Sequence, residues 1–359
     1  MARISFSKGG GMRTFLAYPP LTQRTGGMAV LEDMAVTLAR AGYDLALVPR
    51  DGGIAPDVPD VPVLAWDRAA PGPEDIWLSP EGWPSLLLPG LQARARTTVY
   101  VQNWAYLLPS LPQGVPFERI PAHLLAVSRP VAWHAREFTG AACEILRPGI
   151  DSGRFFPAGR DRDGGQPLGR NETVRIAWMP RKNKALAMQI QEMLAARQGV
   201  KALPAVEWAP IHRMPADQVA ETFRSCHMFL ATGFPEGCPL PPLEAMACGC
   251  LVVGFGGFGG WDYMRQALPG GYRPWWPDSE EERGWEGNGL YAADADTVAA
   301  SLALEYGLEL LARGGPELAA LRTAAAATAR AYSLEAHQKR LLDIWSRAAE
   351  GVALTPFSR

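Results

Sequence analysis

Residues 233–253 read GFPEGCPLPPLEAMACGCLVV, and they place two carboxylates, Glu236 and Glu244, eight positions apart on a loop that runs into a helix. The first half is dense in Gly and Pro, which interrupt regular structure, so Glu236 is expected on a loop. The following LEAMAC consists of good helix formers and the LVV after Gly249 reads as a short buried strand, which puts Glu244 in the first helical turn. Amide N–H groups at a helix start lack intrahelical partners and suit an anion, while carboxylates accept hydrogen bonds from hydroxyls. Phosphate and polyol recognised side by side describe a nucleotide-sugar. The competing reading is structural, with Glu244 complementing the helix dipole and Glu236 a solvated loop acid.

The stretch EGCPLPPLEAMACGCLVV resembles the donor-binding signature of the GT-B glycosyltransferases, family 4 (glycosyl transferases group 1) in particular, whose usual wording is close to EGFGLPLLEAMACGTPVV. Both acids, the LEAMACG core and the strand match, while Pro239, which has no N–H, stands where the family has Gly. The resemblance implies an α/β chain of two Rossmann-like domains facing a cleft, with a C-terminal helix crossing back to the first domain. The implied activity moves a sugar from a nucleotide-sugar donor to a carbohydrate, glycan or glycolipid acceptor, with retention of configuration; no metal or other cofactor is expected, because neither Asp161 with Asp163 nor Asp294 with Asp296 gathers the converging oxygens a hard cation needs. The resemblance assigns Glu244 to the ribose diol, Glu236 to the transferred sugar, and Gly237, Cys238 and Leu240 to the donor. Past the strand, Gly256 and Gly257 resemble the family's glycine pair near the donor phosphates or sugar, and Asp262 stands where the family often has Glu.

At 359 residues the chain exceeds what one hydrophobic core usually serves. Apolar runs alternate with helical patterns, the signature of parallel βαβ units. TFLAYPP, the glycine loop TQRTGG, the helical MAVLEDMAVTLARAG and the strand YDLALVP make a Rossmann-like opening. Further strands are expected at 75–79, 97–102 and 123–128, and CEILRPGIDSGRFFP resembles the family's exit from its first domain. The expected division is 1–156 for an acceptor-side domain, 157–172 for a linker, 173–335 for a donor domain, and 336–359 for the returning helix.

Composition narrows the class. Hydrophobic residues make up 48%, charged residues 20%, and the net charge is −2, so nothing marks the chain for nucleic acid. No apolar run is long enough for a signal-peptide core or a membrane span, so a cytoplasmic location is expected, with peripheral association at the inner membrane face left open. The five cysteines include no CxxC pair, which points to reduced buried thiols. Oligomeric state is left open.

Other motifs add to the site. After the strand VRIAWMP come Arg181, Lys182 and Lys184, at the strand end where open α/β sheets place ligands. They resemble the family's cations that hold the donor diphosphate and stabilise the leaving group, although a solvated basic turn would look the same. Gly26 and Gly27, after Thr25, allow close backbone approach to a phosphate or an acceptor hydroxyl, or simply make a tight turn. Many relatives carry a His after the strand that here ends YVQNW; Gln102 and Asn103 occupy that region, and Asn103 is a candidate for a sugar hydroxyl or the acceptor, or a strand-end turn residue. Gly254, Gly256 and Gly259 satisfy G-x-G-x-x-G, so a dinucleotide-dependent oxidoreductase is one alternative. A non-catalytic nucleotide-sugar sensor is another. The D-x-D pair Asp161 and Asp163 falls in the expected linker, and Asp294 and Asp296 precede a helix as capping residues. Among 12 tryptophans, Trp104, Trp261, Trp275, Trp276 and Trp285 fall in or near expected ligand-facing loops, where ring faces stack on sugars.

Overall fold

The computed structural model describes residues 11–56, 58–111, 113–159, 165–169, 172–268, 270–275 and 286–352. Asp161, Asp163, Trp276 and Trp285 lie outside them. The chain divides into two compact units: residues up to Pro148 together with those from His337, and Gly149–Ala336. The described part of 157–172, expected as a linker, groups with the second unit.

The first unit runs β1 (Arg13–Tyr18), α1 (Gly26–Arg40), β2 (Asp44–Pro49), β3 (Ile76–Pro80), α2 (Leu88–Gln92), β4 (Arg96–Val101), α3 (Trp104–Leu107), β5 (His123–Ala126), α4 (Arg129–Thr139) and β6 (Cys143–Ile145). Its six-stranded sheet has the order β2-β1-β3-β4-β5-β6, with every pairing parallel. The central strands carry mostly apolar residues because a parallel sheet buries both faces, and the charged residues Arg13, Asp44 and Arg96 stand at strand starts. Polar residues mark the helix starts: Thr25 accepts from the Met28 N–H, and Ser128 from the Val131 N–H. Gly140, with φ +69°, closes α4 in the left-handed conformation that Gly adopts without a Cβ penalty.

The second unit runs β7 (Val174–Trp178), α5 (Lys184–Gln198), β8 (Val206–Pro210), α6 (Ala216–Ser225), β9 (Met228–Ala231), α7 (Leu240–Ala247), β10 (Leu251–Phe255), β11 (Leu290–Ala292), α8 (Thr297–Arg313) and α9 (Pro316–Ala331). Its strand order is β11-β10-β9-β7-β8, again parallel. Alternation along the strands sorts two cores. Ile176, Met228, Leu230, Leu251 and Val253 pack towards one, Ala177, Phe229 and Val252 towards the other.

The last helix, α10 (Leu334–Ala349), joins the first unit from His337 onward. Trp345 is fully buried there and its indole N–H donates to Thr14 Oγ1 at 3.0 Å, while Arg340 and Arg347 both pair with Glu144. No helix among the described residues is long and apolar enough to cross a membrane.

Candidate donor and acceptor sites at the sheet switch points

In an open α/β sheet, chain connections diverge where the strand order reverses, leaving a crevice outside the C-terminal strand ends. In the second unit that point lies between β7 and β9, so the loops after these strands, Met179–Asn183 and Thr232–Gly237, are brought together. Asn183, in the left-handed region at φ +55°, donates its side-chain amide to the carbonyls of Thr232 (2.7 Å) and Phe234 (3.1 Å). Thr232 Oγ1 returns a hydrogen bond to the Lys182 carbonyl at 2.5 Å. Across this tied junction the Lys182 ammonium pairs with Glu236. Arg181 is exposed and has no hydrogen bond or ion pair among the described residues. A small pocket opens here, lined by Met179, Lys182, Gly233, Glu236, Pro242 and Phe255.

Glycines let the loops close on Glu236. A Cβ on Gly257 would stand 2.7 Å from that of Glu236, and one on Gly233 would stand 2.6 Å from its carboxylate. The Glu236 N–H donates to the Gly257 carbonyl (2.9 Å) and the Gly259 N–H to the Glu236 carbonyl (3.0 Å), zipping the loop after β9 to the loop after β10.

Helix α7 departs from expectation. It starts at Leu240, so Glu244 sits in its second turn, not its first. Pro241 and Pro242 are accommodated because the first turn needs no intrahelical N–H. The consequence for an anion is large: Pro239, Pro241 and Pro242 supply no N–H, and Leu240 is the one amide left among the cap and the first three helical positions. Glu244 is half-buried, and burial pushes its carboxyl up to about 7, partly offset by the charge of Arg154. Gly237 is buried; Cys238 and Leu240 are half-buried and pack against the core on the α7 side. Lys182 and Glu236 therefore meet, while Glu244 stands apart on the helix with Arg154 as its charged neighbour.

Gly256 and Gly257 are both buried. The Gly257 N–H donates to Asp294 Oδ1 at 2.8 Å, and the Gly256 amide also supports that carboxylate. Asp296 caps α8, accepting from the Ala299 N–H at 2.9 Å, but Asp294 does not cap it, contrary to expectation. The G-x-G-x-x-G match lacks its expected setting: Gly254 lies within β10, and Gly259 opens a four-residue 3-10 turn where the fingerprint needs a helix. Asp262 is fully buried and accepts the Tyr332 hydroxyl at 2.6 Å, a structural tie. Trp261 is likewise not ligand-facing. It is buried, edge-on to Tyr272 and Tyr291, whereas Trp275 is 89% exposed.

In the first unit the switch point lies between β1 and β3. Gly26 and Gly27 open α1 there. The Gln102 side-chain amide, at the end of β4, donates to the Gly27 carbonyl at 3.2 Å, and any Cβ on Gly27 would strike it. Asn103 caps α3, its side-chain oxygen accepting from the Ala105 N–H at 3.0 Å. Trp104 is half-buried, its ring 5.7 Å from that of His134. Sequence reading missed Glu81. This buried carboxylate, just past β3, accepts the backbone N–H groups of Gln102 and Asn103, each at 2.8 Å, and burial pushes it up to about 7. The available signal was an acid immediately after a strand, but its importance depends on β3 lying beside β4.

No family model matches the chain, and no curated protein matches it. Solved structures do. A glycosyltransferase from Rickettsia africae superposes with a TM-score of 0.66 at 12% identity, covering 94% of this chain and 99% of its own. Sucrose-phosphate synthase from Thermosynechococcus elongatus gives 0.64 at 12% identity, covering 95% and 100%. The catalytic domain of starch synthase IV from Arabidopsis thaliana, solved with ADP and acarbose, gives 0.60 at 12% identity, covering 95% and 100%. With its two parallel sheets and their intervening helices, the chain has the fold of the GT-B glycosyltransferases.

Proposed function

We propose that the chain transfers a sugar from a nucleotide-sugar to a carbohydrate, glycan or glycolipid acceptor, retaining configuration and using no metal ion. The observation that carries this reading is the Lys182–Glu236 pair at the switch point of the second sheet, with exposed Arg181 beside it. Arg181 and Lys182 would hold the diphosphate and stabilise the charge that grows on it as the glycosidic bond breaks, which is stabilisation greatest in the transition state. Glu236 would accept hydroxyls of the transferred sugar, and Glu244 the ribose diol. Three prolines remove amide donors from the α7 start, so the diphosphate would depend on these two side chains more than on helix amides. No carboxylate is assigned as a nucleophile. The first unit would hold the acceptor near Gly26, Gly27 and Asn103, on the turn that Glu81 supports.

The test is a thermal-shift screen of UDP, GDP, dTDP and ADP and of their sugars, followed by titration of the diphosphate that binds. Arg181→Ala and Lys182→Ala should each weaken it by about 10- to 100-fold, the loss of one charge-assisted hydrogen bond. Failure of every diphosphate to bind, or indifference to both substitutions, would overturn the reading.

A further inference from the structure

The end of β10 carries a charge for which the donor assignment has no use. Backbone N–H groups in a turn after a strand can cradle an anion. Here Gly257 is buried and its N–H is already given to Asp294, so what an incoming group meets is the Asp294 carboxylate, which is itself exposed. The sign of this corner is thereby reversed from positive to negative.

Glu236 lies on the other side of the same glycine, close enough that no Cβ could be added there. Its charge is answered by Lys182, whereas no cation pairs with Asp294 among the described residues. At the same end of the sheet Tyr272, 41% exposed, sets its ring edge-on to Trp261 at 5.6 Å. Gly256, whose amide also supports Asp294, lies against that indole, where a Cβ would fall 2.6 Å from the ring nitrogen, so ring and carboxylate share this end of the sheet. Carboxylate oxygens beside an accessible aromatic ring suit a polyhydroxylated ring, whose O–H groups donate and whose C–H face is apolar.

We propose that Asp294 is a specificity-determining residue of the donor site, selecting a neutral sugar and rejecting donors whose sugar carries a carboxylate or phosphate. The inference rests on the donor reading above. Neutral hydroxyls donate to Asp294; an anionic substituent cannot donate and meets a like charge that no cation among the described residues pairs with, the usual device by which a site discriminates between similar ligands.

Calorimetric titration with UDP, UDP-glucose and UDP-glucuronate tests it, or with GDP, GDP-mannose and GDP-mannuronate should GDP be the diphosphate that binds. The paired sugars differ only at C6. Wild-type protein should bind the neutral form at least about tenfold more tightly than the uronate. Asp294→Asn, which keeps an acceptor for the Gly257 N–H and removes the charge, should narrow that gap to within about threefold, chiefly by strengthening the uronate. Asp294→Ser is the second variant should Asn impair folding. Equal binding of both sugars by the wild type overturns the proposal, as does a gap that survives loss of the charge, or a loss of diphosphate affinity as large as that for the sugar. If no diphosphate binds the wild type, the donor reading itself fails and takes this proposal with it.

Discussion

Glu244 shows how burial sets the chemistry of a single group. Surrounding protein raises its carboxyl to about 7, so near neutral pH it is divided between an ionised form that accepts hydroxyl hydrogen bonds and a protonated form that does so poorly. If the ionised form holds the ribose diol, nucleotide affinity should rise by about tenfold between pH 6 and 8, the limit for a single group with that pKa. Calorimetric titration across that range checks it, and Glu244→Gln should give a flat profile. Gly257 illustrates a steric demand. Its φ of +64° and the 2.7 Å approach of a Cβ to Glu236 both exclude a side chain, so Gly257→Ala should destabilise the second unit by roughly 1–3 kcal/mol and displace the Glu236 loop. Chemical denaturation measures the first effect; loss of nucleotide-sugar affinity reports the second.

Helices α5 and α8 pack on one face of the second sheet and are joined by a charge cluster. Glu305 on α8, 5% exposed, pairs with Arg197 on α5 and with Lys201 just beyond it. The Arg197 hydrogen bond, aided by Lys201 and opposed by burial, holds the Glu305 carboxyl down at about 2 from its ordinary 4.5. A depressed folded-state value means the pair's contribution to stability is complete above about pH 4.5 and is lost as the pH falls towards 2. Melting temperatures of Glu305→Gln and wild type should therefore converge as the pH is lowered through that window, with the wild type more stable above it. Helix α7 shows the same dependence of an element on its first turn. Its prolines permit an early start at Leu240 but remove the amides that would have made its N-terminus an anion site.

Across the molecule, the polypeptide passes from the first unit to the second at Pro148 and returns at His337. The returning helix is integral to the first unit's core: Trp345 is fully buried and bonded to Thr14 on β1. Trp345→Ala should cost about 3–5 kcal/mol, seen as an earlier unfolding transition in denaturant, because it removes a large buried ring and leaves a cavity. If the two units unfold separately, the transition that moves should be that of the first.

Alternating apolar and helical patterns were enough to predict the parallel βαβ series, because hydrophobic periodicity is imposed by each element's own geometry. TFLAYPP, VRIAWMP and LVV all contain strands, and the 233–253 signature lies where a loop enters a helix. The partners of the charged groups were not legible in this way. Lys182 meets Glu236, and Glu81 meets Gln102 and Asn103, because strand order puts β7 beside β9 and β3 beside β4, and neighbourhood in a sheet is set by packing between segments far apart in the chain. The same holds for Asp294, which from its spacing belongs at a helix cap, but which the pairing of β10 with β11 delivers to the amide of Gly257.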